Sequence, residues 1–92
     1  MSVLVEEKIY QIMAVSGASY EEANEFHSEL GGGYSNAEKI VFYLKHGLTF
    51  SEIKNLHDNG LFKYDENLLI TLMQTWGFKN KWQEVGRLLA DH

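Results

Sequence analysis

Apolar positions along this chain recur at helical spacing and nowhere alternate over a useful length, so helices are predicted and strands are not. Val5, Ile9, Ile12 and Met13 share one face of a first helix over about residues 3–15, which stops at Ser16-Gly17. A second opens at Ser19 and ends near Leu30. There "SYEE" sets Glu22 three residues after the serine, so that each side chain can accept from the other's backbone amide. The third runs from Ser35 through "NAEKIVFYLKH" to Gly47, with Lys45 and His46 suited to the negative helix end. Thr49 caps the fourth, "TFSEIKNLHD", where Glu52 completes a second capping box. Asp65 caps the fifth, "DENLLITLMQTW", which ends at Gly77, and the sixth covers about residues 80–91. The pattern predicts an all-α fold, a compact bundle of five or six short helices, with helices three and five the most buried.

Laid over itself, the chain repeats at thirty residues without a gap. Gly17, Glu22, His27, Tyr34, Ile40 and Gly47 match Gly47, Glu52, His57, Tyr64, Ile70 and Gly77, six identities in thirty-one positions. Similar residues fill Ser19/Thr49, Tyr20/Phe50, Phe26/Leu56, Ser35/Asp65 and Phe42/Leu72. The first helix fits the same frame with Tyr10 over Ile40 and Ile12 over Phe42. The last fits with a small insertion, Trp82 lying over Phe50. Roughly 30-residue helical hairpins in series are expected, either stacked or closed into a bundle.

Composition narrows the class. Ninety-two residues with 45% hydrophobic content make one domain, 1–92, with a small core, rather than a disordered chain. No cysteine is present, which removes disulfides, thiolate metal sites and thiol nucleophiles. No proline is present either, where about 5% is usual, so helices run uninterrupted. No window approaches the about 18 apolar residues of a membrane span. Glu6, Glu7 and Lys8 break up the N-terminus, so no signal peptide is expected and the chain reads as cytoplasmic.

The net charge of −5 is unevenly spread: residues 1–47 carry seven acids and three bases, residues 48–92 six and five. Such a chain repels phosphate backbones, so nucleic acid and membrane are not the expected partners. A protein with a basic surface is the natural complement, and a homodimer stays open. Glu21, Glu25 and Glu29 form an i, i+4 stripe on the second helix, joined by Glu22, with no base in the segment. Read functionally, these carboxylates are a docking face; read structurally, they are a solvated face.

Other residues carry the same pair of readings. Gly31, Gly32 and Gly33 lead into a helix, but they follow a helix rather than a strand and lack the G-x-x-x-x-G-K-[ST] and G-x-G-x-x-G spacings, so they read as a connector and not a phosphate loop. Since the second repeat turns without them, Gly32 is expected to leave a bare notch beside the acidic helix, open to a partner. His27, His46, His57 and His92 lack metal-ligand spacing, and the equivalence of His27 and His57 favours a helix-end role. No metal, cofactor or catalytic set stands out, so no enzyme is expected. Phe42 and Tyr43 are expected in the core. Trp76, Phe78 and Trp82, flanking "GFKNK", are the better interface candidates.

Residues 9–47 resemble the ubiquitin-associated domain, a three-helix module. The likeness lies in a first helix, a Gly-containing turn, "SYEEANEF", a glycine-rich connector and "NAEKIVFYL". The resemblance implies a three-helix arrangement and ubiquitin binding through the loop after the first helix, here "VSGAS" with Gly17, and through the third helix. Trp76-Gly77-Phe78 is nearer the family's Met-Gly-Phe/Tyr loop. "LTFSEIKNLHDNGL" also looks like the opening of a helix-turn-helix reader, although its next helix begins acidic and Arg87 is the chain's only arginine. The reading reached from sequence is a small acidic intracellular adaptor or inhibitor that binds a protein. Its composition is common among phage-encoded inhibitors of host systems. The alternatives are a ubiquitin-associated-like module and a helix-turn-helix regulator.

Overall fold

The computed structural model describes residues 3–77 and 82–90, apart from the Trp76 side chain. Six α-helices follow in order: α1 Val3–Ser16, α2 Tyr20–Glu29, α3 Tyr34–Lys45, α4 Phe50–Asp58, α5 Glu66–Trp76 and α6 Trp82–Ala90. A single 3₁₀ turn, Leu61–Lys63, joins α4 to α5, and no strand occurs among the described residues. The bundle measures 38 × 21 × 17 Å.

The predicted caps form. Ser19 and Thr49 accept from the amides of Glu22 and Glu52, whose carboxylates accept in return from the two cap amides. Asp65 accepts from Asn67 and Leu68. The third helix differs from expectation: it starts at Tyr34 on a Gly33 cap with no side-chain bond, so Ser35 lies inside its first turn. Gly33, at φ 84°, turns the chain straight into the helix and its carbonyl takes the Ala37 amide, which leaves Ser35 nothing to cap.

Helix ends repeat as well. After α3 the Gly47 amide donates to Leu44 and the Leu48 amide to Tyr43, the paired bonds of a Schellman motif, and Leu48 folds back into the core. Gly17, Gly47 and Gly77, thirty residues apart, all hold positive φ at helix ends, where a side chain would be strained.

The core is continuous from Ile9 to Val85. Its centre is α3, which buries Ala37, Ile40, Val41, Tyr43 and Leu44 and meets α1, α2, α4 and α5. Phe42 beside them is half-buried. Helix α5 is not its equal. Leu69 and Ile70 are buried, but Leu68 is 42% exposed. The repeat holds in phase for Ala23/Ile53, Phe26/Leu56 and Ile40/Ile70, all buried. It fails for α1, where Tyr10 is 54% exposed over a fully buried Ile40. Helix α1 turns Ile9 and Ile12 inward instead, and Tyr10 lies outside against the Tyr20 ring, 5.9 Å between centroids.

Candidate partner-binding surface

Helix α2 carries the four carboxylates on its outside. Glu21, Glu22, Glu25 and Glu29 are all exposed, and none pairs with a cation among the described residues. Tertiary packing regroups them. Glu22, Glu25 and Glu29 rim a depression of about 230 Å³ whose floor is Phe26 and Phe50. Glu21, at the top of the sequence-level stripe, stands apart from it. The two rings stack face to face, 4.3 Å between centroids and 9° between planes. Phe50 belongs to α4 and Phe26 to α2, so the floor exists only once the two repeats pack together. Neither ring was a site candidate from sequence. The Tyr20/Phe50 and Phe26/Leu56 equivalences were the available signals, and they mark core positions rather than a groove.

Glu22 and Phe50 also line a second, larger cleft of about 590 Å³, so the two depressions adjoin along α2 and α4. This cleft runs between the glycine turns at Gly17 and Gly47, with Val15, Leu44 and Leu48 as its apolar lining. Val15 is 41% exposed. The larger cleft mixes these apolar residues with Ser16, Thr49 and Glu22, the smaller one holds three carboxylates, and the two meet at Glu22 and Phe50.

The three glycines lie outside both depressions. Gly31, Gly32 and Gly33 hold φ of 97°, 67° and 84°, so the backbone path itself demands glycine at each position. The Gly31 and Gly32 amides donate to Ser28 and His27 and close α2 in a Schellman motif. His27, buried at 4% exposure, brings Nε2 to 2.8 Å from the Gly33 carbonyl, a bond that requires the Nε2–H form. Asn36 donates to the Leu30 carbonyl at 2.7 Å across the same corner. The second repeat takes another route, with one left-handed residue, Gly60, followed by the 3₁₀ turn. The sequence-level inference that a bend alone does not need three glycines is thus corrected. A Cβ at Gly32 would meet nothing within 4 Å, so the position is bare, but what it satisfies is backbone geometry.

The remaining candidates divide. Trp82 is 4% exposed and lies in the core, where α6 packs its first turn against the bundle, so its ring is withdrawn from any partner. Phe78 and the Trp76 side chain lie outside the described residues. Lys39, the cation nearest the glycine corner in sequence, is committed elsewhere: its ammonium donates to the Tyr64 carbonyl at 3.2 Å and to Glu66 at 3.4 Å, tying α3 to α5. His57 does not repeat the role of His27. It sits half-buried, beside Asp58 and edge-on to Phe62. Among the described residues no group of three His, Asp or Glu side chains converges as a metal site would need. No protein-family model matches the chain, and no curated protein or solved structure matches it.

Proposed function

We propose that the protein is a non-enzymatic binding module, a small cytoplasmic adaptor or inhibitor, that docks a basic segment of a protein partner along the groove between α2 and α4. The observation that carries this reading is the Phe26–Phe50 stack rimmed by Glu22, Glu25 and Glu29, none of them neutralised by a cation among the described residues. An apolar floor contributes affinity through water release, and the carboxylate rim selects a basic ligand and speeds its approach. The Val15, Leu44 and Leu48 lining of the larger cleft accepts an apolar side chain of the same segment. No helix among the described residues is long and apolar enough to cross a membrane. The inhibitor form rests on composition, which resembles that of phage-encoded inhibitors.

Glu22 is also a capping residue, so the test uses Glu25→Lys with Glu29→Lys and leaves the cap alone. Affinity capture from the native host is compared between the chain and this double variant, and each captured partner is then titrated with purified protein. A basic partner whose affinity falls at least about tenfold on charge reversal, and which weakens with salt, supports the groove. Equal binding by the double variant, with its helicity intact, sinks it.

A second reading is favoured by one feature. The end of α1 and the turn after it, Val15 to Ala18, line the larger cleft together with Leu44 of α3. These are the two parts through which a ubiquitin-associated-like module would engage ubiquitin. Titration of labelled protein with ubiquitin, with shifts at Gly17 and Leu44, would replace the first reading by this one. Helix α5, which a helix-turn-helix regulator would insert in DNA, opens on Asp65 and Glu66, and Glu66 pairs with Lys39 of α3.

A further inference from the structure

At the opposite end of the chain, α6 and the turn after α4 border an open depression of about 410 Å³ with the reverse charge character. Lys63 and Arg87 both line it, with Asn59, Gln83 and Tyr64 beside them, and among the described residues no carboxylate does. In a chain of net charge −5, two cations on one depression with no acid among its described lining residues stand against the overall balance. Among the described residues neither cation has a carboxylate partner; Lys63 lies over the Tyr64 ring, 5.4 Å from its centroid.

Gly86 is a second, independent sign. It lies inside α6, where glycine is the poorest residue after proline, yet its backbone has no positive φ to require one. Nor does packing require it. A Cβ there would reach Leu61 Cδ2 at 3.7 Å and the Asn59 carbonyl at 3.8 Å, ordinary contacts that alanine would satisfy. Gly86 lines the same depression as Lys63 and Arg87, so a side chain there would take up part of it.

We propose that this depression binds a phosphate monoester of a small organic molecule. One phosphate group concentrates about two negative charges on one set of acceptor oxygens, the complement of a guanidinium and an ammonium that share a depression. The volume suits a small molecule, and the half-buried Tyr64 offers apolar surface to its organic part. A bare phosphate ion would leave that surface unused, and a single carboxylate would leave one cation unmatched.

The test is an amide NMR titration of the full chain with phenyl phosphate, inorganic phosphate, benzoate and phenol. Phenyl phosphate should give saturable shifts at Gly60, Leu61, Gln83 and Gly86, at least about tenfold tighter than inorganic phosphate or benzoate. Phenol should give none. Lys63→Ala with Arg87→Ala should weaken binding by about tenfold or more. Gly86→Ala should raise the Tm, because alanine restores helix propensity, and at the same time weaken binding several-fold. The proposal is overturned by the absence of saturable shifts, by inorganic phosphate binding as well as the ester, or by a double variant that binds unchanged. A Gly86→Ala protein that binds like the parent, or that melts lower, removes the argument from the glycine and overturns the site with it.

Discussion

The Tyr43 phenol lies fully buried on α3 with no hydrogen-bond partner for its oxygen among the described residues. A buried hydroxyl left unpaired costs about 1–3 kcal/mol. Tyr43→Phe keeps the ring, which packs near Phe42 and Phe62, and removes only that oxygen. We expect a gain of about 1 kcal/mol in urea unfolding. Burial, and after it the Glu66 and Asp65 carboxylates, push the phenol well above its ordinary value of 10.0. The neutral form is therefore the one that fits the folded state. Stability from this group is complete below pH 10.0 and is lost as pH rises beyond it, since the unfolded chain ionises first. Melting curves between pH 9 and 11 should show a shallower alkaline loss in the phenylalanine variant. If the two proteins fall together, the buried phenol is not the cause. Gly32 offers the opposite case. Alanine there meets open space, but a left-handed φ of 67° costs a residue with a Cβ about 1–2 kcal/mol. Gly32→Ala should lower the urea midpoint by a corresponding amount, and an unchanged midpoint would return the corner to simple looseness.

Helix boundaries were largely legible because their causes are local. A capping box needs only a serine or threonine and a glutamate three residues on, and both boxes form where the sequence puts them. Ser19→Ala and Thr49→Ala should each cost about 1 kcal/mol. Because they cap separate helices, the double variant should lose roughly the sum in denaturant titrations. A clearly smaller combined loss would mean that the two repeats unfold separately. Rotational phase was less legible. Helix α1 has apolar or aromatic residues at Ile9, Tyr10, Ile12 and Met13, enough to support more than one inward face. Helical spacing already put Ile9 and Ile12 on one face, whereas the thirty-residue frame set Tyr10 over Ile40; packing on α3 and α2 decided for the first and left Tyr10 outside. The α3 start shifted for a related reason, since a glycine carbonyl served where a serine side chain was expected.

For the whole molecule, the core passes without a break from Ile9 on α1 to Val85 on α6. A single cooperative transition is therefore expected, with far-UV and near-UV signals coincident in urea. Two transitions would divide the chain between its repeats. The sequence by itself determined the helical class, the capped helix ends, the thirty-residue frame and the acidity of α2. Each of these depends on residues a few positions apart or on composition. Tertiary structure alone decided what those features face. It stacked Phe26 on Phe50 and so selected three of the four carboxylates as a rim, it withdrew Trp82 into the core, and it brought Lys63 to the same depression as Arg87. Those outcomes join residues about 24 positions apart, which no local pattern relates, because the energy that brings them together is burial of a shared core.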